Sequence, residues 1–98
     1  LLEISQISTE QIVIGEKATL KVTVSGPGSI GLHYLITDPA SGNIVIQGDI
    51  SAKETFNIEL SPELTGSLSP GLYRLSLAAF SDSLVTLKER IVDLEVVP

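Results

Sequence analysis

Leu68-Ser69-Pro70-Gly71-Leu72-Tyr73-Arg74-Leu75-Ser76-Leu77 is the stretch that decides the fold of this chain. Proline presets φ for a turn and glycine accepts the positive φ that often follows, so the chain reverses at Pro70-Gly71. Beyond the turn, Tyr73, Leu75 and Leu77 recur at period two and line one face of a strand. A tyrosine at the head of such a strand is placed to close a corner of a β-sandwich through its hydroxyl.

The same alternation runs outward in both directions. In Lys17 to Ser25, Ala18, Leu20, Val22 and Val24 face one way against Lys, Thr and Ser, which predicts a half-buried strand. Gly26-Pro27-Gly28 ends it. A second strand follows with Ile30, Leu32, Tyr34 and Ile36 in phase and Gly31, His33, Leu35 and Thr37 facing away. Asp38-Pro39-Ala40-Ser41-Gly42-Asn43 then predicts a hairpin: aspartate bonds its own backbone two residues on, proline presets the turn and Gly42-Asn43 tolerates positive φ. Ile44, Ile46 and Ile50 continue on the return strand, and Lys53 to Leu60 adds another through Phe56, Ile58 and Leu60. Ser61-Pro62-Glu63-Leu64-Thr65 has a capping serine and a proline suited to the first helical position, so it predicts one helical or 3₁₀ turn.

The two ends are less regular. Leu2, Ile4 and Ile7, then Ile12 and Ile14, predict a first strand broken around Ser8-Thr9-Glu10. Leu84 to Val97 is long for one strand and its phase slips. Val85 and Leu87 have one parity and Val92, Leu94 and Val96 the other, which predicts a β-bulge or sheet switch near Lys88 to Arg90. About seven short strands, with turn signals every 8–12 residues or so, predict an all-β fold: an immunoglobulin-like antiparallel β-sandwich. An open barrel is the alternative.

The length of 98 residues suits one such domain spanning residues 1–98. With no cysteine, neither a disulfide nor a thiolate-bound metal is available, and burial must carry the stability. The sequence opens Leu1-Leu2 and has no methionine, so it is expected to be a fragment of a longer parent chain. The longest uncharged run, Val22 to Thr37, is interrupted by Gly26, Pro27, Gly28 and Gly31, so no direct membrane insertion is expected of it. A net charge of −6 repels phosphate backbones and anionic lipid surfaces, which argues against nucleic-acid binding.

No constellation predicts catalysis or a cofactor. The one histidine, His33, is out of phase with the apolar face of its strand and has no partner at a spacing typical of zinc sites or triads. Asp38, Ser41, Asn43 and Asp82 supply oxygens for calcium, but the EF-hand order is absent and an Asx-type turn accounts for Asp38. Glu89, Asp93 and Glu95 alternate with Val92, Leu94 and Val96 as the wet side of the last strand. The expected function is therefore non-catalytic. Leu72, Phe80, Leu84, Val85, Val92, Leu94 and Val96 are the candidate protein interface; of the apolar residues, Leu35, Leu72, Ala78, Phe80, Leu84 and Val85 lie on or near the parity that faces outward or borders an edge. Sheet edges, the first and last strands above all, are a second candidate, for strand addition.

The turn-strand Pro70-Gly71-Leu72-Tyr73-Arg74-Leu75, the hairpin Asp38 to Asn43 and the strand entry Gly15-Glu16-Lys17-Ala18-Thr19-Leu20-Lys21-Val22 resemble immunoglobulin-like modules of prokaryotic surface proteins. S-layer modules and the soluble domains of archaeal archaellum-stator proteins are similar company. That resemblance implies an extracellular structural or protein-interaction module of a cell-envelope assembly. Its partner would be another envelope or S-layer subunit or a second copy of itself, as a homodimer. An accessory or carbohydrate-binding domain of a secreted hydrolase is the alternative, with Tyr34 or Phe80 as the aromatic contact.

Overall fold

The computed structural model describes residues 2–9, 11–52, 55–83 and 87–98. Its elements are β1 (Glu3–Ser8), β2 (Ile12–Val13), β3 (Ala18–Ser25), β4 (Ile30–Thr37), β5 (Ile44–Ala52), β6 (Thr55–Leu60), α1 (Pro62–Gly66), β7 (Gly71–Ser81) and β8 (Lys88–Val97). The strands form a three-stranded sheet, β1-β3-β6, and a five-stranded sheet, β2-β8-β7-β4-β5. All pairs are antiparallel except β2 with β8, which run parallel at Ile12↔Val96 and Val13↔Val97. The architecture is the expected immunoglobulin-like sandwich. It has one strand more than anticipated because the first strand divides between the two sheets.

Alternation along each strand builds the core between them. Leu20, Val22, Val24, Phe56 and Ile58 from the smaller sheet meet Leu32, Ile36, Leu75, Leu77 and Leu94 from the larger, all fully or almost fully buried. Each side chain buried in this way contributes about 1.5–3 kcal/mol relative to exposure.

The last strand corrects the sequence reading. The β7–β8 register runs without a shift from Gly71↔Val96 to Ala79↔Lys88, so no bulge lies near Lys88 to Arg90. Strand β8 begins at Lys88, so the parity of Leu87 belongs to the connection before it; Leu84 and Val85 lie outside the described residues. Within β8, Leu94 and Val96 point into the core, each 2% exposed, and Val92 packs half-buried against it. The irregularities fall elsewhere. One lies in β1 between Ile4 and Gln6, which lets Leu2, Ile4 and Ile7 all face inward despite their broken spacing. The other lies where β4 pairs β5, between Ile36 and Thr37.

Two buried polar groups lock the turns. The Tyr73 hydroxyl donates to the Ser69 carbonyl at 2.9 Å and accepts from the Ser69 N–H at 3.2 Å, closing the corner over Gly71, whose φ of +146° needs glycine. The helical turn α1 forms as predicted, with the Ser61 hydroxyl accepting from the Leu64 N–H and Pro62 in the first turn. It delivers Thr65, fully buried, whose hydroxyl donates to the Glu16 carbonyl at 2.8 Å and accepts from the Gly15 N–H at 3.1 Å. The turn at Gly15 is thereby tied to a segment some fifty residues further along the chain. Urea unfolding should show Tyr73→Phe less stable by about 1–2 kcal/mol and Thr65→Val by about 1–3 kcal/mol, since each leaves backbone groups without a partner. Unchanged midpoints would show that these hydroxyls are dispensable.

Candidate functional site

The outer faces of the two sheets differ in chemistry. On the three-stranded sheet the outward residues include Ser5, Lys21, Thr23, Asn57 and Glu59, with Lys17 Nζ 3.6 Å from Glu59. The outward parity of the five-stranded sheet instead carries Leu72, Phe80 and Ile91, 62%, 42% and 62% exposed. The β4–β5 bulge turns Ile44, 52% exposed, to the side of Thr37 on that same face. Among the described residues no large apolar side chain is exposed on the three-stranded sheet. An apolar stretch confined to one face, rimmed by polar groups, is how protein-binding surfaces are built.

Register places the residues of this face in rows. Ser76 lies between Ile91 on β8 and Leu35 on β4, and Ala78 lies between Glu89 and His33. Arg74 lies between Asp93 and Thr37. Phe80 stands opposite Gly31, and its ring occupies the space a Cβ there would need, 2.3 Å from the ring carbon Cζ. Glycine at position 31 thus lets an aromatic ring lie flat on the sheet. His33, Leu35, Ser76, Ala78, Glu89 and Ile91 enclose a shallow depression of about 220 Å³ at the centre of the face.

His33 has a partner that sequence spacing does not reveal. It pairs with Asp49 across β4–β5, and its Nδ1 lies 2.7 Å from Asp49 Oδ1. A carboxylate can only accept, so in this pair Nδ1 carries the proton. Both side chains are well exposed, 38% for His33 and 74% for Asp49. Ser76 is one row away and makes no hydrogen bond to His33 among the described residues, and the N–H groups of β7 serve its ladders with β4 and β8 rather than an oxyanion.

The oxygen-rich turns stay apart. Asp38 Oδ1 accepts from the Ala40 N–H at 3.0 Å, an Asx turn at the C-terminal end of β4. Asp82 Oδ1 accepts from the Ser29 N–H at 2.8 Å, just before the other end of the same strand. Among the described residues no group of three or more His, Cys, Asp or Glu side chains is placed to hold a metal ion. Tyr34 points inward over Gly48, so of the two aromatics considered for sugar stacking only Phe80 faces outward.

Of the interface residues expected from sequence, Leu72 and Phe80 lie on this face, while Leu94 and Val96 belong to the core and Val92 borders it. Leu35 and Ala78 sit half-buried at its centre. Sequence reading misses Ile91, although it shares the parity of Glu89, Asp93 and Glu95, the strand's wet side.

No protein-family model matches the chain, and no curated protein matches it. Solved structures do share its fold. One is the Dpr1 IG1 domain, crystallised bound to DIP-eta IG1: 17% identical, TM-score 0.58, covering 98% of this chain and 95% of that one. Another is a lytic polysaccharide monooxygenase from Jonesia denitrificans, a neutron structure, 10% identical with TM-score 0.55, covering 98% of this chain and 77% of that one. At these identities the likeness concerns fold alone, and it agrees with the strand order: the chain is an immunoglobulin-like β-sandwich.

The two ring-covered glycines make a paired prediction. A Cβ at Gly48 would lie 2.7 Å from Tyr34 Cζ on the inner side, where the ring packs against the core, whereas Phe80 over Gly31 borders solvent and can swing away. Gly48→Ala should therefore cost about 1–3 kcal/mol in denaturant unfolding. Gly31→Ala should stay within about 0.5 kcal/mol of the parent protein. Equal costs would show that Phe80 is held as rigidly as Tyr34.

Proposed function

We propose that this chain is a non-catalytic protein-interaction module that docks another immunoglobulin-like domain through the outer face of its five-stranded sheet. The observation that carries this reading is the segregation of exposed apolar side chains: Leu72, Phe80, Ile91 and Ile44 share one outer face while the other is polar. The Dpr1 domain, caught with a second immunoglobulin domain as its partner, supports the choice of partner class. A sheet face that sets exposed apolar side chains among polar ones suits such a pairing, because binding energy concentrates in a few anchors.

The setting that fits is the cell exterior, with residues 1–98 acting as one module of a longer envelope protein of the S-layer or archaellum-anchoring kind. What supports it is the resemblance of the turns at Asp38 to Asn43 and Pro70-Gly71 to such modules, together with a composition that needs no cysteine. No helix among the described residues is long and apolar enough to cross a membrane.

Site-specific photocrosslinking tests the docking face. A photoreactive side chain at position 91 should crosslink an immunoglobulin-like polypeptide of the source envelope, identified by mass spectrometry, while one at position 57 on the opposite sheet should not. Adding Ile91→Asp to a probe carried at position 72 should cut that product by about tenfold or more, as loss of a central anchor does. It should leave unfolding unchanged, because Ile91 is 62% exposed. Equal crosslinking from both faces, or from position 57 alone, would overturn the assignment.

A further inference from the structure

The depression at the centre of the docking face has a chemistry of its own. Its walls are apolar or small: Leu35, Ala78 and the exposed Ile91. Its polar groups are led by the Glu89 carboxylate, with the Ser76 hydroxyl beside it and the His33 ring, whose Nδ1 is committed to Asp49, on the far side. No cation is paired with Glu89 among the described residues. Arg90 also borders the depression, but its Nη1 donates to the Ile4 carbonyl at 3.4 Å and carries its charge toward β1. The volume, about 220 Å³, is below the ~300–1,000 Å³ of clefts that take drug-sized ligands and fits one side chain.

The geometry points to a subsite here for one long cationic side chain, arginine or lysine, presented by the docked partner. Ile91, Leu35 and Ala78 take its aliphatic stem, and the Glu89 carboxylate and the Ser76 hydroxyl take its head. The inference rests on the docking reading above and deepens it by naming what the partner inserts. Long basic side chains divide in just this way between an apolar stem and a charged tip. Any group that covers the depression without a donor would strand the Glu89 carboxylate away from water, and that unpaired cost is what makes the subsite selective. The neighbouring Asp49 adds to the preference for positive charge, while Asp93 stands opposite Arg74 on the same face.

Isotope-edited NMR tests the subsite without the partner. Nα-acetyl-L-arginine methylamide, titrated into the labelled chain, should shift the amides of Leu35, Ser76, Ala78, Glu89 and Ile91 and the His33 ring nitrogens in a saturable way. The citrulline analogue, equal in shape but neutral, should bind at least about fivefold more weakly, as should the arginine compound with Glu89→Gln, because charged hydrogen bonds are roughly twice as strong as neutral ones. Lysine methylamide separates the two cationic head groups. Equal response to citrulline, shifts spread over other surfaces, or no effect of Glu89→Gln would overturn the subsite. If the arginine probe fails while crosslinking from position 72 still requires Ile91, docking stands and only the cation subsite falls.

Discussion

Everything in this molecule depends on two sheets of unequal width sharing one apolar layer with nothing covalent between them. With no cysteine, the contact of Phe56, Leu20 and Val22 with Leu32, Leu75 and Leu94 has to hold the sandwich closed. Because side chains alternate along a strand, committing one parity to that layer assigns the other parity to solvent or to a partner. The smaller sheet fills its outward positions with hydroxyls, amides and charges. The larger one sets Leu72, Phe80, Ile91 and Ile44 among polar positions such as Arg74, Ser76 and His33. The distinction between the two faces is thus a consequence of strand register.

Much of this is legible in the amino-acid sequence. The Pro70-Gly71 turn, the Tyr73 corner, the Asp38 to Asn43 hairpin and the split first strand all follow from local chemistry that tertiary context does not override. The last strand misleads for a physical reason. Parity can be followed only within one strand, and counting Leu87 into a strand that starts one residue later demands a bulge to reconcile it with Val92. Ile91 stays hidden because it shares its parity with the acidic Glu89, Asp93 and Glu95. Of the two real register shifts, the one in β1 leaves no comparable trace, because Ile7 reads equally well as an isolated apolar residue.

The candidate site is less legible because it is made by pairing between strands. His33 looks solitary along the chain, and sixteen residues separate it from Asp49. The turn residues announce the hairpin but not its register, and only the register brings the carboxylate opposite the imidazole. Thr65 is similar: capping chemistry predicts a short helical turn, but nothing local says that the turn buries a hydroxyl against Gly15 and Glu16. Local signals specify turns and faces, while contacts across sheets need the assembled fold.

The crossing of the N-terminal segment from one sheet to the other has a mechanical meaning. Strand β2 runs parallel to β8, and the Ile14 N–H adds a bond to the Val97 carbonyl at 3.0 Å just beyond the pair. Tension entering ahead of β1 and leaving after β8 draws these two strands past each other along their axes. Their hydrogen bonds, and those of β1 with β3, are then strained together in shear instead of being unzipped one at a time. Bonds loaded in this way share the pull, so the few bonds of the clasp count for more along the chain than across it.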